Sequence, residues 1–545
     1  MNNAIFKYGM PENEPVRSYV PGSKDRKLLM EAYKELSETV TDIPLIIGGK
    51  EIRTGQTGKV VMPHNHRHVL ATWHMAGESE VQMAIDAALK AHTAWSTVSW
   101  VERVSVTLKI AELISGKYRH LLNAATMLGQ GKNAYQAEID AVCETVDFLR
   151  FNAHFISEIY DDQPIQEKGM INRIEYRPLE GFVFSVTPFN FTAIAANLNL
   201  APALMGNTLV WKPATTALLS NYILMQIFKE AGLPDGVINF IPGKGSLIGN
   251  QVLSHRELAG IHFTGSTGTF NQLWKGVAKN LEGYRSYPKL VGETGGKDFV
   301  VVHPSVDPQQ VATALVRGAF EYQGQKCSAA SRAYIPESRW PGIRSIMGGM
   351  LSQIKVGEPS DFTNFVNAVI DEASFDNIMS YIDYAKNSEH AEIAFGGTGD
   401  KTSGYFVQPT VIVTTDPHFK SMEEEIFGPV LTLYIYQDKD YDAMLRLVDS
   451  TSPYALTGSV FSSDRAILGE TCRVLRYSAG NFYYNDKPTG AVVGQQPFGG
   501  ARMSGTNDKA GSHMNLVRWT SPRTIKETLV PPTDFRYPFM KEDCH

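Results

Sequence analysis

The stretch from Gly181 to Gly265 limits the architecture of this chain more than any other. Short apolar runs at 181–186, 207–211, 237–242 and 260–265 alternate with helical patterns at 192–205 and Leu218–Glu230. Runs of this length, bounded by turn residues, are what strands buried on both faces look like. Gly232 and Pro234 supply a C-terminal stop for the second helix. Strand–helix alternation at this spacing is a βαβ series, hence a parallel sheet with helices on its faces. Ligands of such sheets sit beyond the carboxyl ends of the strands. Those ends carry Thr187–Asn190, Trp211–Lys212, Pro242–Gly243 and Thr264–Gly265.

A second α/β region runs from about Lys289 to about 480, with strands predicted at 297–302, 331–336 and 429–436 and helices at 308–321 and 373–387. Upstream, Ser79 and Gln82 have capping-box spacing ahead of an apolar stripe of Val81, Ala84, Ile85, Ala88 and Leu89. Residues 100–160 read as further amphipathic helix, whereas the first ~70 residues show no single pattern. The tail after 482 is rich in Gly, Pro, Asn and aromatics, and there is no internal repeat.

Composition removes several classes. A hydrophobic fraction of 43% supplies large cores, which excludes a disordered chain. With 51 basic and 57 acidic residues the net charge is -6, unsuited to sequence-independent binding of nucleic acid. The cysteines are Cys143, Cys327, Cys472 and Cys544, with no C-x-x-C pair, so a reducing compartment is expected. No apolar run approaches the ~20 residues that span a bilayer. The first residues have neither a signal-peptide core nor an Arg-rich leader. The expected location is a bacterial cytoplasm, with a mitochondrial matrix protein relieved of its leader as the alternative.

Four local patterns can carry chemistry. In G-Q-K-C-S (324–328), Cys327 lies between a helix and a strand among small or polar neighbours. There a cation such as Lys326, or a helix N-terminus, can favour its thiolate, the alternative being a buried structural thiol. In V-G-E-T-G-G-K-D (291–298), Glu293 is a lone carboxylate on a tight backbone, fit for a general base or a solvated turn. In T-P-F-N-F (187–191), Asn190 can donate its amide to an oxyanion or cap a helix. The turns 242–249 and 263–268 place glycines at strand-to-helix junctions, which suits a pyrophosphate. His64, His66 and His68 would share one face of a strand, but no second cluster completes a metal site, and none is expected.

In this order the pieces resemble the aldehyde dehydrogenase superfamily from about residue 40 to 530. The motifs are T-P-F-N (187–190), W-K-P-A (211–214), F-T-G-S (263–266), G-E-T-G-G-K (292–297), G-Q-K-C (324–327), E-E-I-F-G-P (424–429) and P-F-G-G (497–500). The stretches 129–140, 485–509 and 518–522 look like its glutamate-γ-semialdehyde (1-pyrroline-5-carboxylate) dehydrogenase branch, in the single-function form.

The resemblance implies two doubly wound parallel-sheet domains plus a small oligomerisation extension. It divides the chain into an NAD-binding domain at 1–288 (with strands near 160–180 joining the extension), a catalytic domain at 289–485, and a substrate anchor loop with C-terminal oligomerisation segment at 486–545. It implies NAD-dependent oxidation of glutamate γ-semialdehyde to glutamate, the second step of proline catabolism, through a thiohemiacetal and thioester on Cys327. Asn190 is the oxyanion donor and Glu293 the base for water.

For NAD it implies Thr187, Lys212, the turn Gly265, Ser266, Thr267, Gly268 and Thr269, and Glu425 on the nicotinamide ribose. Thr215 and Thr216 stand where many NAD-preferring relatives carry an acid, so NAD over NADP is an expectation. For the substrate it implies Gly490–Ala491 and Ser328 at the α-carboxylate. Glu144 is a candidate for the ammonium, with Phe191 and Phe498 along the stem. The partners expected are the small-molecule substrate and further copies of the chain, as a homodimer or larger, with no nucleic acid or membrane. Another semialdehyde on the same fold, and a retired scaffold without activity, are the competing readings.

Overall fold

The computed structural model describes residues 6–541, which leaves Cys544 outside the described residues. Its first sheet contains β1 (Leu45–Ile47), β2 (Lys50–Ile52), β3 (Phe182–Val186), β4 (Leu209–Lys212), β5 (Ile238–Phe240), β6 (Leu258–Thr264) and β7 (Lys289–Glu293). The spatial order is β7-β6-β3-β4-β5-β1-β2. Strands β3 to β7 are parallel, and the β1–β2 hairpin closes the far edge antiparallel. Every residue of β6 is buried, as a strand covered on both faces requires. From β3 the chain winds through β4 and β5, then returns to the other side for β6 and β7. The crevice at this reversal, between the ends of β3 and β6, is where a doubly wound sheet takes its ligand.

The second sheet contains β8 (Asp298–Val302), β9 (Ala330–Pro336), β10 (Ala391–Phe395), β11 (Thr410–Thr414), β12 (Val430–Tyr436), β13 (Thr457–Phe461) and β14 (Asn481–Tyr484). Its order is β10-β11-β12-β9-β8-β13-β14, parallel except at β10. The chain crosses between sheets over Thr294–Lys297, because Lys289–Glu293 pairs with Gly260–Thr264 of β6. The passage therefore falls later than the expected boundary at 289. Hydrogen-bond partners distant in sequence decide which sheet a strand joins.

The two sheets meet the seam with opposite polarity. The first presents the carboxyl ends of its strands. The second presents amino ends: Lys297 precedes β8, Cys327 precedes β9, and Glu425 precedes β12. The carboxyl-end rule thus locates only half of the site.

The helix Glu78–Trp95 starts at Gly77, whose N–H donates to the Glu80 carboxylate at 2.8 Å. The expected Ser79–Gln82 box does not form, because Ser79 already lies inside the helix and its hydroxyl donates to Glu80 at 2.7 Å. The run 100–160 divides into the helices Trp100–Ser115, Arg119–Gln130 and Ala134–Asp161, the last widened to a π-helical turn over Glu138–Glu144. Gly131, at φ 67°, ends the second of these in the left-handed conformation a glycine tolerates. Strands Met170–Pro178 and Thr520–Thr528 form a separate antiparallel ribbon over nine residue pairs.

Candidate active site

A cavity of about 300 Å³ opens at the seam, and Cys327, Ser328 and Glu293 line it. The same cavity takes Glu144 and Phe191 from the helical layer, and Gly490, Ala491 and Phe498 from the loop after β14. Residues far apart in sequence therefore share one space, since Glu144 and Phe498 both reach it.

Cys327 is held by an unusual loop. Tyr322, Gln323 and Gly324 have φ of 51°, 55° and 66°, three consecutive residues in the left-handed region. A β-carbon on Gly324 would stand 2.2 Å from the Gly428 carbonyl oxygen, so only glycine fits there. The two non-glycine residues carry strain. It is offset by the Gln323 amide, which donates to the carbonyls of Gly131 at 2.7 Å and Ala368 at 2.9 Å. Gln325 adds a second fixture by accepting from the Ile370 N–H at 2.9 Å.

The thiol of Cys327 is half-buried, and burial pushes its pKa well up, helped by the acids Glu293, Asp298, Glu425 and Glu144. Lys326, the cation expected to favour the thiolate, is paired with an acid of its own. Its Nζ lies 3.4 Å from Glu321, and burial brings it down to about 8. The resting thiol is neutral and needs a proton acceptor. Glu293 is suited to that task, because burial pushes its carboxyl up to about 8, with Lys509 pulling it down and Asp508 raising it.

Asn190 is buried and is not one of the residues lining the cavity, and its Nδ2 donates to the Gln325 carbonyl at 3.1 Å. A primary amide has two N–H groups, so one anchors the nucleophile loop and one is left to donate. It does not cap the helix Thr192–Leu204. Asp140 closes that helix end, accepting from the N–H groups of Thr192 at 3.0 Å and Ala193 at 2.9 Å.

Among the substrate candidates, burial raises Glu144 to about 8, with Asp140 and Asp147 adding to the shift and Lys132 opposing it. Phe191 lies under the ammonium of Lys132, 4.0 Å from its ring centre, and Lys132 donates to Asp140 at 2.5 Å. Ser328 and Thr489 share a hydrogen bond of 2.8 Å. Gly490 has φ 93°. Phe498 exchanges two backbone hydrogen bonds with Ala510, at 3.0 and 2.8 Å. Lys132, Thr489, Asp147 and the segment Asn13–Val16 were not singled out from sequence. Lys132 and Thr489 sit inside stretches that carry the family resemblance, whereas nothing in the local pattern marks Asn13.

The cofactor candidates fall in two sets. At the switch crevice, Thr187 is buried and accepts from Trp211 Nε1 at 2.9 Å, and burial lowers the pKa of Lys212 at the end of β4. Ser266 caps the helix Thr267–Lys279 by accepting from the Thr269 N–H at 3.2 Å. Thr267 and Gly268 open that helix, whose first turn and dipole suit an anion, whereas Gly265 precedes the cap and donates its N–H to the Glu293 carbonyl at 3.2 Å. On the second sheet, Glu425 is raised to about 7 by burial and accepts from the Gly296 N–H at 2.9 Å. A β-carbon on Gly295 would meet its Oε2 at 2.2 Å. A smaller cleft touches both Cys327 and Glu425.

The three histidines go separate ways: His64 meets the Tyr33 hydroxyl at 3.3 Å, His66 the Lys401 carbonyl at 3.0 Å and His68 the Ser37 carbonyl at 2.7 Å. Among the described residues no group of His, Cys, Asp and Glu is placed to hold a metal.

A dinucleotide-type sheet facing an acylatable thiol with a base poised near neutrality defines a class, the oxidoreductases that carry their substrate as a covalent thiol adduct. The model of the aldehyde dehydrogenase family matches residues 52–525, and the chain belongs to that family. It is 53% identical over 533 residues to the mitochondrial delta-1-pyrroline-5-carboxylate dehydrogenase of Dictyostelium discoideum, covering 97% of this chain and 96% of that one. It is 50% identical to the probable delta-1-pyrroline-5-carboxylate dehydrogenase of Schizosaccharomyces pombe, covering 98% and 99%. Among solved structures, the Mycobacterium tuberculosis delta-pyrroline-5-carboxylate dehydrogenase bound with NAD superposes with a TM-score of 0.96 at 48% identity, covering 99% of this chain and 100% of that one.

Proposed function

We propose that this chain oxidises L-glutamate γ-semialdehyde, the open form of 1-pyrroline-5-carboxylate, to L-glutamate with NAD. The observation that carries the reading is the charge pattern of the Cys327 cavity. Arg317, Lys326 and Lys487 line it together with Ser328, Thr489, Gly490 and Ala491; Glu321 on the same wall pairs with Arg317 at 2.8 Å and Lys326 at 3.4 Å, and three cations against one acid leave this end suited to a carboxylate. Glu144 and Asp147 line it from the helical layer, and burial holds both carboxyls above their ordinary range. A bound ammonium would draw Glu144 back towards its ionised form. A dicarboxylate semialdehyde offers no such cation. The relatives named above carry the matching activity in their names.

The residues at the seam suit NAD. The Ser266-capped helix end and Lys212 would hold the pyrophosphate and adenosine side, Thr187 the crevice wall, and Glu425 the ribose nearest the thiol. When bound, NAD supplies the hydride acceptor that turns the tetrahedral thiol adduct into a thioester. The chain's own residues do the rest. Glu293 accepts the thiol proton, and Cys327 Sγ adds to the aldehyde carbon. The second N–H of Asn190 and the Cys327 backbone N–H then receive the oxyanion, where loss of one such donor typically costs ~2.7–4 kcal/mol of barrier. After oxidation Glu293 gives the thiol proton up to solvent, and the freed carboxylate deprotonates the water that splits the thioester.

The compartment is one that keeps thiols reduced, a bacterial cytoplasm or a mitochondrial matrix. The assembly is a homodimer or larger, supported by the exposed ribbon and tail. The domain roles follow the sheets, with the first holding the cofactor and the second the nucleophile.

Steady-state NADH formation tests the reading. Glutamate γ-semialdehyde should give the highest kcat/KM in a panel that includes succinate semialdehyde, with NAD preferred to NADP. Higher kcat/KM for the dicarboxylate would overturn the substrate assignment.

A further inference from the structure

The segment before the first helix is irregular, yet Asn13, Glu14 and Val16 line the same cavity as Cys327. We infer that this N-terminal strap completes the substrate site and that Asn13 is a positioning residue for the loop carrying Gly490 and Ala491; the inference rests on the substrate reading above.

The side-chain amide of Asn13 is fully committed. Its Nδ2 donates to Asp147 Oδ2 at 2.8 Å and to the Val493 carbonyl at 2.8 Å, and its Oδ1 accepts from Gln495 Nε2 at 2.9 Å. One side chain thus ties the helix that follows Glu144 to the loop that follows Ala491. No isosteric replacement keeps two donors and an acceptor in this arrangement, and aspartate would set a second carboxylate against Asp147.

The strap is itself firmly held. The Glu14 N–H donates to Asp147 Oδ1 at 2.7 Å, and the Glu14 carboxylate accepts from Arg119 and from Arg150, each at 2.7 Å. The Arg17 N–H donates at 2.9 Å to Glu138, which begins the π-helical turn ending at Glu144. On its other side the loop rests on aromatics. Val493 packs with Phe148 and Phe151, and a β-carbon on Gly494 would stand 2.1 Å from the Phe151 ring. The loop is therefore clamped between an aromatic floor and the strap. The strap sets the spacing between the acids that face an ammonium and the amides that face a carboxylate.

The test compares wild type, Asn13→Ala and Gln495→Ala on two aldehydes. Glutamate γ-semialdehyde has the α-carboxylate and ammonium, and butanal has neither. L-Glutamate binding is measured by calorimetry alongside. We expect KM for the semialdehyde and Kd for glutamate to rise about five- to ten-fold, the worth of one or two hydrogen bonds. The kcat, and the KM for butanal, should stay within about two-fold. A rise of equal size for both aldehydes, or no rise in folded variants, overturns the inference. Should Asn13→Ala not fold, Gln495→Ala decides, since it removes only the outer bond. If wild type fails to turn over the semialdehyde, the substrate reading falls and takes this inference with it; normal wild-type turnover with unchanged variants removes the inference alone.

Discussion

The mechanism turns on a carboxyl and a thiol that are both neutral at rest. Cys327 stands among acids that oppose its ionisation, and Glu293 is raised to about 8 by burial. The base becomes competent as pH rises through that value, so kcat should climb between about pH 7 and 9. In Glu293→Gln the limb should disappear, with turnover lower by about 10²–10⁴-fold. A rapid-quench mass measurement on the wild type during turnover should find the acyl adduct on Cys327, and Cys327→Ser should show neither adduct nor NADH. Stability runs the other way. A carboxyl raised from 4.5 to about 8 on folding favours the folded state only while protonated. That contribution is whole below about pH 4.5 and is lost as pH rises towards 8. Glu293→Gln should therefore leave the unfolding free energy unchanged near pH 4.5 and raise it at pH 9, by about 2 kcal/mol or more. An equal shift at both pH values would show that packing, not ionisation, is responsible. Thiol, base and amide are legible in sequence because each sits in a short motif of small residues. Their ionisation is not, because it depends on acids drawn from positions as distant as Glu144 and Glu425.

At the scale of elements, position along the chain foretells strands better than it foretells what holds them in register. Apolar runs at 181–186 and 260–265 mark β3 and β6 because strands buried on both faces have no polar side to hide the signal. The boundary at 289 fails for the opposite reason, since Lys289–Glu293 is assigned to its sheet by pairing with β6. The capping box at Ser79 fails because Glu80, one residue from it, reaches Gly77 first. The loop before Cys327 is illegible too: no propensity predicts Tyr322 and Gln323 at positive φ. That loop keeps its shape through the Gln323 amide, so Gln323→Ala should let it relax. We expect kcat to fall by about ten-fold or more, in keeping with the cost of misplacing a nucleophile, with NAD affinity little changed. A variant with full kcat and normal affinity would mean that backbone packing alone holds the loop.

At the scale of the molecule, both charge groups of the site belong to one chain, but the surface is not finished. The ribbon of Met170–Pro178 and Thr520–Thr528 carries alternating half-buried and exposed residues on its first strand. The segment beyond it leaves Val530 83%, Phe535 87% and Phe539 83% exposed. Apolar side chains this bare, in sequence next to a protruding ribbon, suit an isologous contact between copies of the chain. A stable contact of that kind buries about 1,200–2,000 Å² in total, more than scattered single residues provide, so ribbon and tail should act as one patch. Light scattering of the wild type should give a whole multiple of the chain mass. Replacing Val530, Phe535 and Phe539 together by Asp should lower that multiple, because charges in a desolvated contact are costly to bury. Turnover per chain should survive in the smaller species, since Cys327, Glu293, Glu144 and the strap all come from the same copy. Activity lost in proportion to the lost assembly would instead mean that a neighbouring copy holds the seam closed.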